Sequence, residues 1–372
     1  MTDSKSNDVF VPEGMPKLDD GGRVTSFFEF WPSWVVYLPV LFQWFALSVR
    51  YRSLTLPLIA NPGIPLSGMV GVAKTEIFKQ AGSEARRWIL PWMEYEVTLA
   101  SPADQGKEIS DLLDSAGLQL PVVAKPNVGC RGAGVKLLQS MQQLALYVEG
   151  SPRGSTIQFQ KLADWEAEAG VFYVRHPDQA TGEITSLTFK YMPYVVGDGK
   201  STLEELVSRD VRAGKLIHLY YSRHKHMWQK VLSAGKPYRL VFSASHCRGA
   251  IFRDGRGYIT EKLSAKLDKV LQDIPGFHYG RLDIKFRDLA SLMEGENFAI
   301  IEINGASSES IHIWDRDARF LEAVKTLMTQ YRTLFQLGHA NRELGHQPPG
   351  IASLWKAWRH EANLTRSYPA ND

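Results

Sequence analysis

Two runs near the end of the chain, Tyr279 to Phe286 (YGRLDIKF) and Phe298 to Asn304 (FAIIEIN), most constrain what it can fold into. Each alternates apolar with charged or polar residues over the length of a strand, and successive side chains of a strand point to opposite faces. Arg281, Asp283 and Lys285 therefore share one face of the first run, and Ile300, Glu302 and Asn304 share one face of the second. If the runs pair antiparallel across the loop from Arg287 to Asn297, oxygens of Asp283, Glu302 and Asn304 converge. Such hard donors suit magnesium, which keeps several waters and commonly bridges to nucleotide phosphates. A hairpin whose charges merely face water is the plainer alternative.

At 372 residues the chain exceeds what one hydrophobic core comfortably fills, so two or more lobes are expected. Its 43 basic and 40 acidic residues nearly balance and form no long basic block, so nucleic acid is not an implied partner. The two cysteines, Cys130 and Cys247, stand far apart without metal-ligand spacing. That argues against a disulfide framework or a zinc site and fits a reducing cytoplasm.

Residues 1–26 are polar, lack the cationic start of a secretory signal, and read as a disordered N-terminus. Residues 27–60 form an atypical hydrophobic segment. Within it Phe27 to Val49 is rich in Trp, Phe, Leu and Val and is followed by Arg50 and Arg52. The length could just span a bilayer, with the bulk of the chain inside. Glu29, Pro32 and Pro39 count against spanning, whereas Trp31, Trp34, Tyr37 and Trp44 suit a membrane interface. Docking on the main domain as a helical hairpin, or a contact in a homodimer, are the alternatives.

Prolines and glycines recur from Leu56 to Gly71 and mark a connector, with residues 61–120 as an N-terminal lobe. Helical spacing returns after Lys74, and Ile109 to Leu118 repeats apolar residues at helical intervals. Pro121 to Lys125 reads as a buried strand and Val135 to Leu138 as its returning partner. Thr156 to Leu162, Gly170 to Arg175 and Ile184 to Met192 are further strands. Ser201, with Glu204 reaching back, is expected to cap a helix, and others fit Leu263 to Leu271 and Ala318 to Phe335. Residues 339–372 read as a tail, with Trp355 and Trp358 as docking points.

Between the first two of these strands lies Lys125 to Val135 (KPNVGCRGAGV). Glycine lets backbone N–H groups approach phosphate oxygens closely, and Lys125 and Arg131 add positive charge beside Gly129, Gly132 and Gly134. The lysine precedes the glycines, so this is not the loop that opens a helix in P-loop proteins. A glycine-rich hairpin turn of purely structural role is the alternative.

Taken in order, VVAKPNVGCRGAGV, an extended segment with an acidic residue after it, GRLDIKF and IIEING resemble the ATP-grasp superfamily over roughly residues 70–335. The nearest likenesses are to D-alanine–D-alanine ligases and, through VVGDGKSTLEELV, to the ligase part of cyanophycin synthetases. The resemblance implies an α+β fold in which two lobes grip ATP, with the ATP-grasp domain spanning 121–338. It implies a carboxylate–amine ligase that works through an acyl phosphate on small carboxylate and amine substrates. ATP and magnesium, or manganese in its place, are the implied cofactors.

Carried over residue by residue, Lys125 matches a phosphate-binding lysine, and Asn127 to Gly134 the mobile cover above it. Lys74 matches a second phosphate-side lysine, with Lys79 as a rival. The segment Gln158 to Leu162, including Gln160, Lys161 and Leu162, matches the hinge whose backbone holds adenine, although Gln160 stands where glutamate is frequent. Glu168 or Glu166 follows for the ribose. Asp283, Glu302 and Asn304 match the metal ligands, and Arg281 an arginine that stabilises charge on the transferred phosphoryl and acyl oxygens. Lys190 faces the same cleft in this scheme.

Outside the family pattern, Arg248 in SASHCR is a candidate for an acidic substrate, as is Ser307 in GASSES. His224, Lys225 and His226 lack an acidic neighbour and are read as a solvated loop rather than a metal tract. A phosphotransferase and a nucleotide-binding membrane scaffold without turnover are the competing functions.

Overall fold

A computed structural model of the chain describes residues 10–18, 26–29, 31–129, 132–243, 245 and 248–369. The apolar run after Glu29 forms one continuous helix, α1 (Ser33–Tyr51), which carries Pro39 internally and ends at Arg52 in the left-handed conformation. The Pro-rich connector turns twice in short 3₁₀ pieces before α2 (Lys74–Gln80) and α3 (Ser83–Trp88).

Strand β1 (Trp92–Glu96) leads to α4 (Pro102–Ser115), whose start Ser101 caps by accepting from the Asp104 N–H. Then follow β2 (Val122–Pro126), β3 (Lys136–Leu138), α5 (Met141–Glu149) and β4 (Thr156–Lys161). The strands make an antiparallel sheet in the order β1-β4-β2-β3. Ile109 and Leu113 of α4 and Leu144 and Val148 of α5 cover Val122, Ala124, Ile157 and Phe159, which alternate onto that face as strand geometry requires.

The second lobe holds β5 (Ala167–Val174), β6 (Glu183–Tyr191), β7 (Tyr194–Val196), α6 (Leu203–Arg209), α7 (Ile217–His224), β8 (Pro237–Arg239) and β9 (Ile251–Asp254). It continues through α8 (Glu261–Gln272), β10 (Tyr279–Phe286), α9 (Leu289–Met293) and β11 (Phe298–Asn304). Its main sheet is antiparallel in the order β11-β10-β5-β6-β9, with β7 and β8 paired separately. Odd-numbered residues of β5 and even-numbered residues of β10 pack on α8, α2 and α3 through Leu263, Leu267, Ile77, Phe78 and Ala85. The opposite face is covered at one end, where Leu334 and Leu337 pack on Phe172, Val174 and Tyr279, and lines a cleft at the other. Two facing antiparallel sheets with their helices give the expected two-lobed α+β arrangement.

Three boundaries differ from expectation. The cap near residue 201 is shifted by one: Thr202 and Glu205 form the reciprocal capping box, while Ser201 is bonded to Asp198. The helix expected over 318–335 runs on as α10 (Phe320–Glu343), because its apolar stripe continues through Leu337 and Gly338. The segment read as a tail holds α11 (Ile351–Ser367), none of whose residues is buried.

Helix α1 docks on α10 as a single helix rather than a hairpin. Val36 and Val40 join Leu327 and Trp314, while Trp44 meets the ring of Phe335 edge-on. No helix of the described residues is long and apolar enough to cross a membrane. The segment is pinned by Glu29, whose buried carboxylate takes a two-pronged contact from Arg212, itself bonded to the carbonyls of Gly249 and Ala250. Removing one partner of a buried pair strands the other charge, at a cost of about 3–5 kcal/mol. Glu29→Ala should lower the unfolding free energy in denaturant by roughly that amount. A loss below about 1 kcal/mol, the size of a surface pair, would show that this contact does not anchor the segment.

Candidate active site

The two sheets enclose a cleft of about 960 Å³. Its floor is the free face of the five-stranded sheet, where Glu168 of β5, Lys190 of β6 and Arg281, Asp283 and Lys285 of β10 emerge side by side. Lys190 reaches Glu168 at 3.1 Å and Asp283 at 2.9 Å, Lys285 reaches Glu168 at 2.9 Å, and the Arg281 Nε reaches Asp283 at 3.0 Å.

Runs β10 and β11 pair antiparallel as the sequence suggests, with Asp283 directly opposite Glu302 and Arg281 opposite Asn304. A bulge at Ile301 breaks the simple alternation. Ile300 therefore does not share the face of Glu302 and Asn304; it turns into the core with Ile303, across a change of phase that side-chain pattern alone does not reveal. The bulge also presents the Ile301 carbonyl to Lys125 of the other sheet, whose Nζ donates to it at 3.1 Å and to Gln160 Oε1 at 2.7 Å.

Burial and charge act together here. Burial alone would raise Asp283, but Arg281 and Lys190 outweigh it and bring the carboxyl to about 2. Glu168 is likewise lowered against its burial by Lys285 and Lys190. Burial lowers Lys125 to about 8, partly opposed by Glu302. The floor is thus ionised and mutually compensated, with one lysine above it poised to gain from a polyanion.

The donor set fits a hard cation. Glu302 has no hydrogen bond or ion pair among the described residues, and the buried Nδ2 of Asn304 has no partner. Among the described residues no group of three His, Cys, Asp or Glu side chains could hold a metal. Two carboxylates and an amide instead suit an ion that completes its shell with water and phosphate, as magnesium does.

The glycine loop between β2 and β3 closes over this floor. Gly132 and Gly134 have φ of +67° and +70°, and a Cβ at them would sit 2.5 Å from Ser243 Oγ and from Pro126 Cγ. Lys74 underpins the loop, its Nζ donating to the carbonyls of Pro126 at 3.2 Å and Gly129 at 2.7 Å. Lys79 instead pairs with Glu94. Arg131 lies outside the described residues, as do His246 and Cys247.

Other candidates fall differently. Gln160, Lys161 and Leu162 line the cleft, but Glu168, taken for the ribose, is held between two lysines, whereas Glu166 is exposed at the rim. Arg248 does not line the cleft; its guanidinium donates to the Gly132 carbonyl and braces the loop from behind. Ser307 is exposed in the cleft, its hydroxyl bonded to the Gly68 carbonyl. His224 closes α7 with its ring bonded to the Leu240 carbonyl and Tyr238 hydroxyl.

Sequence reasoning missed the wall at the far end of the cleft. There Glu309 accepts from Tyr37 and from the Trp314 indole, and Arg281 donates to its carbonyl. It also missed the end of the chain, where Glu361 accepts from the Gly71 N–H at 2.6 Å and Tyr368 donates to the Val128 carbonyl at 2.5 Å. No local motif signals the contacts of Tyr37 with Glu309, Gly71 with Glu361 or Val128 with Tyr368, each of which joins residues more than two hundred positions apart.

No protein-family model matches the chain, and no curated protein matches it. Among solved structures it is similar to a bifunctional glutathione synthetase from Pasteurella multocida, with 14% identity and a TM-score of 0.36, covering 69% of this chain and 36% of that one. It is also similar to the VanG D-Ala:D-Ser ligase from Enterococcus faecalis, with 10% identity and a TM-score of 0.39, covering 74% of this chain and 64% of that one. The chain thus matches less than two thirds of either protein's length.

Tyr368 packs against Gly129 and Gly134 and holds the Val128 carbonyl, so it should restrain the loop. Tyr368→Ala is expected to speed amide hydrogen exchange in residues 128–135 by about tenfold, the loss of one to two kcal/mol of local stability. Unchanged exchange there would mean that the chain end rests on the loop without restraining it.

Proposed function

We propose that this chain is an ATP- and magnesium-dependent ligase that joins a small carboxylate to an amine through an acyl phosphate, releasing ADP and phosphate. What supports it most is the meeting of Lys125 from one sheet with the facing pair Asp283 and Glu302 on the other, beneath a glycine-rich loop. The ATP-grasp resemblance of these motifs runs in the same order along the chain. Phosphoryl transfer asks the protein for positioning and for cations around the phosphoryl oxygens, and this floor is rich in both.

In this scheme the backbone of Gln160 to Leu162 holds the base, and Glu166 rather than Glu168 faces the ribose, since Glu168 is already bonded by two lysines. Lys125 and Lys190 contact the phosphates while Lys74 positions the loop above them. Asp283, Glu302 and Asn304 would hold the magnesium, which would supply positive charge against the phosphate oxygens. The substrate carboxylate attacks the γ-phosphorus and ADP departs. The amine then attacks the acyl carbon, phosphate leaves, and the amine proton passes to solvent. Arg281 stabilises the negative charge that collects on the phosphoryl and acyl oxygens, and Ser307 contacts the acid substrate. No side-chain nucleophile is needed.

Purified protein with magnesium and ATP, screened against pairs of amino acids and small acids, should release ADP and phosphate only when both partners are present. AMP with pyrophosphate would overturn the mechanism, and a phosphorylated acceptor without free phosphate would make the protein a phosphotransferase. Glu302→Gln should lower turnover at least about a hundredfold. Because Glu302 makes no hydrogen bond or ion pair among the described residues, the fold should stay intact by circular dichroism; unaltered turnover would remove Glu302 from the site.

A further inference from the structure

Helix α1 buries one side against α10, yet its other side carries Trp34, Leu38, Leu41, Phe42, Phe45 and Val49, each between 43% and 79% exposed. Their spacing of three, four or one residues lines them along one stripe of the helix. Three aromatic side chains of about 150–250 Å² each, all more than half exposed, together with Leu38, Leu41 and Val49 bring the patch to the upper end of the roughly 300–600 Å² that is the largest on a typical monomer.

We propose that the stripe seats the protein on an anionic lipid surface, with α1 lying in the plane of the interface. Two observations favour lipid over a protein partner. A protein interface carries about one hydrogen bond per 100–200 Å² and a polar rim. Here no charged residue occurs from Phe30 to Val49, and the polar atoms of Tyr37, Trp44 and Ser48 are bonded to Glu309, to the Leu54 carbonyl and to the Trp44 carbonyl. The stripe thus offers a partner almost nothing but hydrocarbon and ring. Second, the charges that flank it are complementary to anionic headgroups: Arg50 and Arg52 are exposed just beyond its end, while Glu29, the acidic residue just before it, is buried on Arg212.

Burial of the opposite helix face against the protein leaves α1 no way to stand across a bilayer. It fits the geometry of an interfacial helix, where tryptophan and phenylalanine sit at the headgroup boundary. Because Trp31 and Tyr37 also line the far end of the cleft, docking would bring that end close to the lipid surface.

The test is flotation of the full-length protein with vesicles of phosphatidylcholine alone and with added phosphatidylglycerol. Binding is expected to the anionic vesicles and to weaken as salt rises. A triple variant, F42S/F45S/V49S, should lower the partition coefficient by at least about tenfold while circular dichroism shows an intact fold. If that variant does not fold, the double variant R50E/R52E is read instead, and should weaken binding by at least about fivefold per arginine. The proposal is overturned if wild type stays unbound with both vesicle types, or if the variants float as wild type does. It is equally overturned if wild type is a stable dimer in solution that the triple variant dissociates.

Discussion

Asp283 and Glu302 face each other directly across neighbouring strands, an arrangement that on its own is destabilising. It persists because Arg281 and Lys190 approach Asp283 closely while Glu302 is left open to the cleft. The site is therefore neither a neutral sheet face nor a free acidic pocket. It is a row of opposite charges in which protein cations balance one carboxylate, and the other has its lone pairs to spare. A hard cation that also binds phosphate could use those lone pairs without dismantling the row.

The rest of the cleft is arranged around this pair. The bulge at Ile301 keeps Glu302 and Asn304 on the cleft face while sending Ile300 into the core, and it frees a carbonyl for Lys125. That contact joins the two sheets across the cleft. The glycine loop then depends on supports from distant parts of the chain: Lys74 below, Arg248 behind and Tyr368 across its start. Helix α11, with no buried residue of its own, owes its position to Glu361 and Tyr368 meeting backbone that belongs to the cleft.

Much of this was legible in the sequence where local rules apply. The strands that became β2, β4, β5, β6, β10 and β11 announce themselves by apolar runs or alternation, and the facing of Asp283 and Glu302 follows from pairing two of them antiparallel. What escaped was set by tertiary contact. A bulge leaves no compositional mark, so Ile300 was given the wrong face. Glu168 reads as a spare carboxylate until two lysines from neighbouring strands close on it, and Arg248 as a substrate ligand until the Gly132 carbonyl is found beside it. The ambiguity of residues 27–49 was physical as well: one helix buries one face and exposes an equally apolar one, so no periodicity could tell docking from an interface.

The central claim is that Glu302 and Lys125 serve one ligand from opposite sides of the cleft, and that a magnesium ion links that ligand to the carboxylates. Its most direct measurement is calorimetric titration of a non-hydrolysable ATP analogue into wild type, Glu302→Gln and Lys125→Met, each with and without magnesium. The account predicts that magnesium tightens binding to wild type and to Lys125→Met, that it gives little to Glu302→Gln, and that Lys125→Met weakens binding under both conditions. Equal enhancement by magnesium in wild type and Glu302→Gln would contradict it.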